Sequence, residues 1–188
     1  MKIRLGMVGG GIGAFIGDVH RMAARLDDRY ELVAGAFSSD PARTKESAAE
    51  FGVAEDRAYK DFTTMVREER ARADGIEAVA IVTPNHLHHA PAREFLDAGI
   101  HVICDKPLTA SLEDARELQA LVNESDLLFA VTYNYSGYPM VRQAREMIGD
   151  GALGDIKNIL NLRRLVHYSP LIADMRPAMR PLINASED

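Results

Sequence analysis

The chain has 188 residues, of which 47% are hydrophobic and 27% charged, and its formal net charge is -6. This composition fits one well-packed globular domain and little more, and it excludes collagen, coiled coils and disordered tails. The acidic balance argues against nucleic-acid binding, no run reaches the ~20 apolar residues that cross a bilayer, and one cysteine without a leader sequence predicts a cytoplasmic protein.

Short apolar runs alternate with segments of helical spacing along most of the chain. The predicted strands cover residues 3–8, 30–37, 78–82, 101–104 and 127–132, and the predicted helices cover 16–26, 41–51, 61–72, 88–98, 111–123 and 138–148. Several strands are apolar throughout, which indicates burial on both faces. The pattern therefore predicts an α/β fold with a doubly wound, mostly parallel, Rossmann-like sheet and helices on both faces.

The character of the sequence changes after Gly154. Residues 156–166 predict a further strand, and the prolines that follow interrupt any periodicity. We therefore expect a first domain over residues 1–153 and a remnant of a second α+β domain over residues 154–188. A strand at 156–166 without its partners exposes backbone groups that pair with another chain, so we expect a homo-oligomer formed through residues beyond 153.

A glycine-rich turn, GGGIG, follows the first predicted strand. Glycines between a strand and a helix let the backbone approach a dinucleotide pyrophosphate at the helix N-terminus, and we assign this role to Gly9, Gly11, Gly13 and Gly17. The strict G-x-G-x-x-G pattern is not met, so the third position belongs either to Ala14 in a looser form of the motif or to Gly17. Methyltransferases that bind S-adenosylmethionine use a similar turn, so the turn alone leaves the ligand open.

The second predicted strand ends at Ser38 and Ser39, where NAD-dependent proteins usually carry an acid that binds the ribose hydroxyls. Ser38 can hydrogen-bond a 2′-phosphate, and Arg43 can reach the same phosphate as a forked donor. These residues favour NADP over NAD. Asp40 remains an alternative ribose partner, and Ser38 and Arg43 have the alternative roles of starting a helix and facing solvent.

The tripeptide Thr83-Pro84-Asn85 follows the most apolar strand, at the edge of the sheet where doubly wound folds bind ligands. We expect Thr83, Pro84 and Asn85 to border the cofactor, with His88 hydrogen-bonding across the cleft. His86 and His89 lie in the same turn, but a metal site needs a further ligand type, and none is near in sequence. We predict no metal site here and interpret His86 and His89 as surface residues.

The next predicted strand ends in Asp105-Lys106-Pro107. A partly desolvated lysine beside a cofactor can exchange a proton with an alcohol oxygen, and a neighbouring aspartate can hold it in place. Lys106 is therefore the candidate catalytic residue, against the alternative of a surface lysine. Cys104 has no general base near it in sequence, which favours a buried residue over a nucleophile.

Four motifs in this order resemble the Gfo/Idh/MocA family of NAD(P)-dependent oxidoreductases: Gly9-x-Gly11, Thr83-Pro84-Asn85-x-x-His88, Asp105-Lys106-Pro107 and Tyr133-Asn134-Tyr135. The resemblance covers residues 1 to about 160. It implies hydride transfer between NADP or NAD and a sugar or polyol hydroxyl, which Lys106 contacts, and it implies that residues 1–153 bind the dinucleotide. It further implies that Asp105 and Asn134 line the cofactor cleft and that the Lys106-Pro107 bond is cis.

The chain departs from the family in two ways. Asp105 stands where the family usually has glutamate, and the second domain with its catalytic acid and histidine is mostly absent after residue 150. We therefore expect this chain to bind the cofactor and to turn over sugars poorly. A non-catalytic nucleotide-binding module remains an alternative, as does a methyltransferase, although the latter has no use for Asp105-Lys106-Pro107.

Overall fold

A computed structural model describes residues 2–155 of the chain. Its strands are β1 (Ile3–Gly9), β2 (Tyr30–Ala36), β3 (Ala78–Val82), β4 (His101–Cys104) and β5 (Phe129–Val131). Its α-helices are α1 (Phe15–Leu26), α2 (Pro41–Phe51), α3 (Phe62–Ala71), α4 (His89–Asp97), α5 (Leu112–Asn123) and α6 (Pro139–Gly149). The predicted order of elements is confirmed, with β5 shorter than expected, and the predicted strand at 156–166 lies outside the described residues.

The five strands form one parallel sheet in the order β2-β1-β3-β4-β5. The chain starts in the middle of the sheet, moves to one side for β2, and then crosses β1 to build β3, β4 and β5. The predicted Rossmann-like fold is therefore confirmed. Gly9 pairs with Val82 and Ile81 pairs with Cys104, so the carboxyl ends of β1, β3 and β4 meet at one edge of the sheet.

Each face of the sheet contributes to its own buried cluster, because side chains alternate along a strand. Leu5 and Met7 pack on one face with Phe37, which follows β2, and with Ala48 of α2. The other cluster contains Val79, Ile81 and Val102 of the strands together with Phe95 of α4 and Leu118 of α5. Helices cover both faces, and the uniformly buried β3 explains its unbroken apolar sequence.

Side-chain caps start three of the helices. Asp40 accepts a hydrogen bond from the Ala42 amide at α2, Asp61 accepts one from Thr64 at α3, and Ser111 accepts one from Asp114 at α5. These bonds satisfy amides that have no partner within a helix. By contrast, no side chain caps α1, which begins after Ala14.

The described residues divide between two units, one that ends at Tyr138 and one that begins at Pro139. The first contains the whole sheet with α1 to α5, and α6 belongs to the second. The predicted domain boundary near residue 153 depends on residues outside the described range and stays a prediction. No helix among residues 2–155 is long and apolar enough to cross a membrane.

Candidate functional site

A cavity of about 830 Å³ opens at the carboxyl edge of the sheet, within the first unit. Its lining comes from the ends of β1, β2 and β3 and from the starts of α1, α2 and α3. Of the predicted site residues it contains Gly9, Gly11, Ser38, Arg43, Thr83 and Pro84. The cavity has the size of a small-molecule or cofactor site.

The glycine turn forms one wall of this cavity. Gly9, Gly10 and Gly13 have φ values of 80°, 70° and 80°, a region that side chains other than glycine's rarely tolerate. The Gly11 amide donates to the Phe37 carbonyl over 3.2 Å, and a Cβ on Gly11 would lie 3.0 Å from that oxygen and from Ser47 Oγ. Ser47 in turn accepts from the Ile12 amide over 3.1 Å. The turn is thus held against β2 and α2 with no room for a side chain at Gly11.

Gly17 takes the place of the third glycine, which the sequence left open between Ala14 and Gly17. It is buried in α1, and a Cβ there would lie 2.5 Å from the oxygen and 2.6 Å from the Cα of Gly10. The helix therefore contacts the turn backbone directly. A Cβ added to Gly13 would meet no atom within 4 Å, so position 13 favours glycine only because of its positive φ.

Arg21 is a buried charged residue that sequence reasoning missed. Its guanidinium donates to the Gly10 carbonyl, pairs with Asp18, and lies 3.7 Å from the centre of the Phe51 ring. It thereby joins α1, the glycine turn and α2. A mid-helix arginine carries no sequence signal for this role, because its partners depend on how the helix packs.

At the end of β2 the polar groups are mostly engaged with each other. Thr44 Oγ1 accepts from the Ser38 amide and donates to the Ser38 carbonyl, both over 3.0 Å, and the Asp40 amide donates to Ser38 Oγ over 3.1 Å. The Asp40 carboxylate caps α2 and does not line the cavity. Arg43 is exposed at the cavity wall, and Lys60 and Asp61 are the other charged residues of the lining.

His88 is buried and ties two loops together instead of lining the cavity. Its ring nitrogens lie 2.8 Å from the Thr83 carbonyl oxygen and 2.8 Å from the Pro107 carbonyl oxygen. A neutral imidazole donates to one of these oxygens, and the protonated ring donates to both. His88 therefore connects the loop after β3 to the loop after β4, and its role beside a cofactor stays a prediction.

Asp105 is also buried, and its carboxylate contacts other residues than Lys106, its predicted partner. Asp105 Oδ1 accepts from Thr132 Oγ1 over 2.8 Å and lies 3.9 Å from His20 Nε2 on α1. The expectation that Asp105 holds the Lys106 ammonium is wrong, because the buried carboxylate is directed to Thr132 and His20. Burial lowers the pKa of His20 below its usual range, against the opposing effect of the Asp105 charge.

Lys106 is exposed at the same edge of the sheet, and the predicted cis Lys106-Pro107 bond is confirmed. The Asp105 amide donates to the Ile81 carbonyl over 2.9 Å, so the loop carrying Lys106 leaves β4 beside the loop carrying Thr83. Lys106 does not itself line the cavity. The common edge required by the sequence hypothesis is therefore present.

The remaining predicted residues lie at this edge outside the cavity lining. Asn85 is exposed and its Oδ1 accepts from the His86 amide over 3.0 Å, and Asn134 is exposed in a short helix after β5. His89 contacts Glu117 of α5 at 3.0 Å, so its side chain is directed away from His88. No group of three or more metal-binding side chains occurs among residues 2–155.

Cys104 is buried at the end of β4, as predicted. Burial raises the pKa of its thiol to about 12, and the neighbouring Asp105 charge adds to the effect. The thiolate is therefore scarce at neutral pH, which agrees with a packing role rather than a nucleophile.

Sequence comparison decides the family. Residues 3–133 match the Gfo/Idh/MocA family, described as an oxidoreductase family with an NAD-binding Rossmann fold. The chain belongs to the Gfo/Idh/MocA family. This match covers the whole sheet and every predicted site residue except Asn134.

Relatives of the Gfo/Idh/MocA family resemble the chain over part of their length. The uncharacterized oxidoreductase YfiI of Bacillus subtilis is 42% identical over 156 residues, which are 82% of this chain and 40% of YfiI. An oxidoreductase from Sinorhizobium meliloti has 62% identity and a TM-score of 0.77, covering 82% of this chain and 43% of its own. An inositol dehydrogenase homologue from Azotobacter vinelandii, in complex with NADH and myo-inositol, has 46% identity and a TM-score of 0.79, covering 83% of this chain and 41% of its own. The chain thus spans about two fifths of the length of these relatives.

Proposed function

We propose that the chain is the nicotinamide-nucleotide-binding part of an oxidoreductase that transfers hydride between NAD(P) and a hydroxyl group of a sugar or polyol. The observation that carries the proposal is the cavity at the carboxyl edge of the sheet, where the glycine turn meets the uncapped start of α1. Exposed helix amides and the helix dipole favour a phosphate at such a position. The presence of NADH and myo-inositol in the related Azotobacter vinelandii structure supports the same chemistry here.

The residues of the turn fit a dinucleotide. A Cβ at Gly11 would crowd the Phe37 carbonyl and Ser47, and Gly17 leaves no space between α1 and Gly10. The glycines thus form a surface of bare backbone on which a pyrophosphate can approach the amides closely. Thr83 and Pro84, which follow β3 beside the turn, would border the bound nucleotide.

Bound NAD(P) supplies the ring carbon that accepts or donates the hydride. The protein contributes position and proton transfer. We assign to Lys106 Nζ the transfer of the substrate hydroxyl proton. Lys106 is exposed at the common edge of the sheet, and it follows β4, one strand further from the glycine turn than Thr83. His88 and Asp105 hold the loop that carries it and act as positioning residues.

The cavity also favours NADP over NAD. A ribose with free hydroxyls is usually bound by a carboxylate at the end of β2, but here the Asp40 carboxylate caps α2 and the cavity mouth carries Ser38 and Arg43. The Ser38 hydroxyl accepts from the Asp40 amide and keeps its own hydrogen to donate to a phosphate. Arg43 adds a planar cation that suits phosphate oxygens.

A binding titration of the purified chain tests the proposal. Calorimetry with NADPH, NADH and S-adenosylmethionine is expected to give binding of the two dinucleotides and none of S-adenosylmethionine. Gly11→Val is expected to abolish binding, because its side chain would collide with the Phe37 carbonyl. Gly149→Ala is the matched control, since an added Cβ there meets no atom within 4 Å. Binding of S-adenosylmethionine in place of the dinucleotides would refute the proposal.

We further propose that the chain associates with itself through residues beyond 153, because the strand that the sequence predicts at 156–166 would pair with another chain. A monomer at high concentration in light scattering would contradict this proposal.

A further inference from the structure

We infer that Lys60 binds the 2′-phosphate of NADP as a second cation beside Arg43 and sets the preference for NADP. This inference rests on the proposed function and adds a residue that determines which dinucleotide the site prefers. Lys60 lines the cavity together with Ser38 and Arg43, although its sequence position lies far from the end of β2.

A short parallel contact places Lys60 at the end of β2. Ala58 forms an isolated parallel bridge with Gly35, and the Tyr59 amide donates to the Gly35 carbonyl over 2.8 Å. The segment therefore runs alongside β2 in the same direction. Lys60, the next residue, leaves the sheet at the edge where Phe37 and Ser38 leave β2.

The backbone at this point is firmly anchored. The Tyr59 side chain is buried, and its hydroxyl donates to Glu69 over 2.7 Å. Glu69 is itself buried and paired with Arg57. The Lys60 side chain is 67% exposed and lines the cavity from this anchored backbone.

Asp61, which follows Lys60 and also lines the cavity, caps α3. Asp61 Oδ1 accepts from the Thr64 amide over 2.7 Å, and hydrogen bonds from Thr64 lower the pKa of Asp61 below its usual range. Lys60 Nζ lies 3.9 Å from Asp61 Oδ2, which is longer than a hydrogen bond. Asp40 is likewise bound to the start of α2. The lysine thus retains hydrogen-bonding capacity for an added anion.

A ribose 2′-phosphate matches this arrangement. Such a phosphate monoester carries a charge of roughly -1.5 to -2 at neutral pH and offers three acceptor oxygens. Arg43 from the first turn of α2 and Lys60 from the segment beside β2 both line the cavity together with Ser38. NAD lacks that phosphate, so the contribution of Lys60 is specific to NADP.

The test compares Lys60→Gln and Lys60→Arg with the control Lys45→Gln. Lys45 is an exposed lysine of α2 that pairs with Glu55 and does not line the cavity. Calorimetry with NADPH and NADH is expected to show about a tenfold loss of NADPH affinity in Lys60→Gln, with NADH affinity within about twofold, since charged hydrogen bonds contribute on this scale. Lys60→Arg should retain most NADPH affinity, and Lys45→Gln should retain all of it.

The same loss should appear with 2′,5′-ADP and not with 5′-ADP, which isolates the adenosine end of the cofactor. An equal effect of Lys60→Gln on NADPH and NADH, or no effect on either, would overturn the inference. Failure of the unmodified chain to bind either dinucleotide would instead refute the proposed function. Thermal unfolding of each variant verifies that the fold is intact.

Discussion

Replacement of Gly17 by alanine tests the closest backbone contact of the site. The new Cβ would lie 2.5 Å from the Gly10 oxygen and 2.6 Å from its Cα, both backbone atoms that cannot rotate away. Ordinary contact is near 3.5 Å, so α1 and the turn must separate by about 1 Å. Such overpacking typically costs about 1–3 kcal/mol, and the better helix propensity of alanine returns about 1 kcal/mol. We expect a net destabilisation of about 0–2 kcal/mol.

The effect on cofactor binding should exceed the effect on stability. The shift moves the start of α1 relative to the turn, so hydrogen bonds to a pyrophosphate become longer or are lost. A hydrogen bond to a charged group contributes about 1.5–3 kcal/mol, which predicts at least a tenfold weaker affinity for NADPH and NADH alike.

Urea unfolding and calorimetry measure the two quantities on the same sample. Gly149→Ala serves as the control, because its Cβ meets no neighbour within 4 Å and both quantities should stay nearly constant. Unchanged dinucleotide affinity in Gly17→Ala would show that the contact between α1 and the turn does not shape the binding site. That result would refute the reasoning.

Three further predictions concern buried polar groups. Glu69→Ala removes the buried carboxylate that pairs with Arg57 and leaves this arginine only Asp74, so it should destabilise the chain by about 3–5 kcal/mol in urea unfolding, whereas an effect below 1 kcal/mol would contradict the pairing. Burial lowers the pKa of His20 from 6.5, so the unfolded chain binds a proton at this side chain more readily than the folded chain does. The free energy of unfolding should therefore fall as the pH drops below 6.5. His20→Asn should reduce that fall in unfolding curves recorded over a pH series. Cys104, with a pKa of about 12, should resist a thiol reagent at pH 8 until the chain unfolds, and rapid labelling of the folded chain would disprove its burial.

The sheet and its helices were predictable because their signals are local. The apolar run at 78–82 is buried at every position of β3, and the polar residues Asp40, Asp61 and Ser111 cap the helices that begin where helical spacing starts. The glycine turn was predictable for the same reason, since a strand, a turn and a helix follow one another directly.

The roles of particular charged residues were not predictable, because they depend on long-range packing. Arg21 reaches Gly10 only after α1 folds back on the turn, and Lys60 reaches the end of β2 only through the bridge between Ala58 and Gly35. Asp105 was wrongly assigned to Lys106 because adjacency in sequence suggested a contact. In an extended segment, adjacent side chains point to opposite sides, and the buried carboxylate meets Thr132 from β5 instead.

The two ends of the candidate site are therefore built by different means. The phosphate end depends on backbone atoms of one turn, which glycine alone can expose, and a short motif specifies it. The reacting end depends on three loops that leave β3, β4 and β5 separately. His88 bridges the first two, and the bond from Thr132 to Asp105 joins the last two. Binding of the nucleotide and placement of Lys106 should consequently be separable by mutation, with changes at His88 or Thr132 altering the position of the lysine while the glycine turn stays intact.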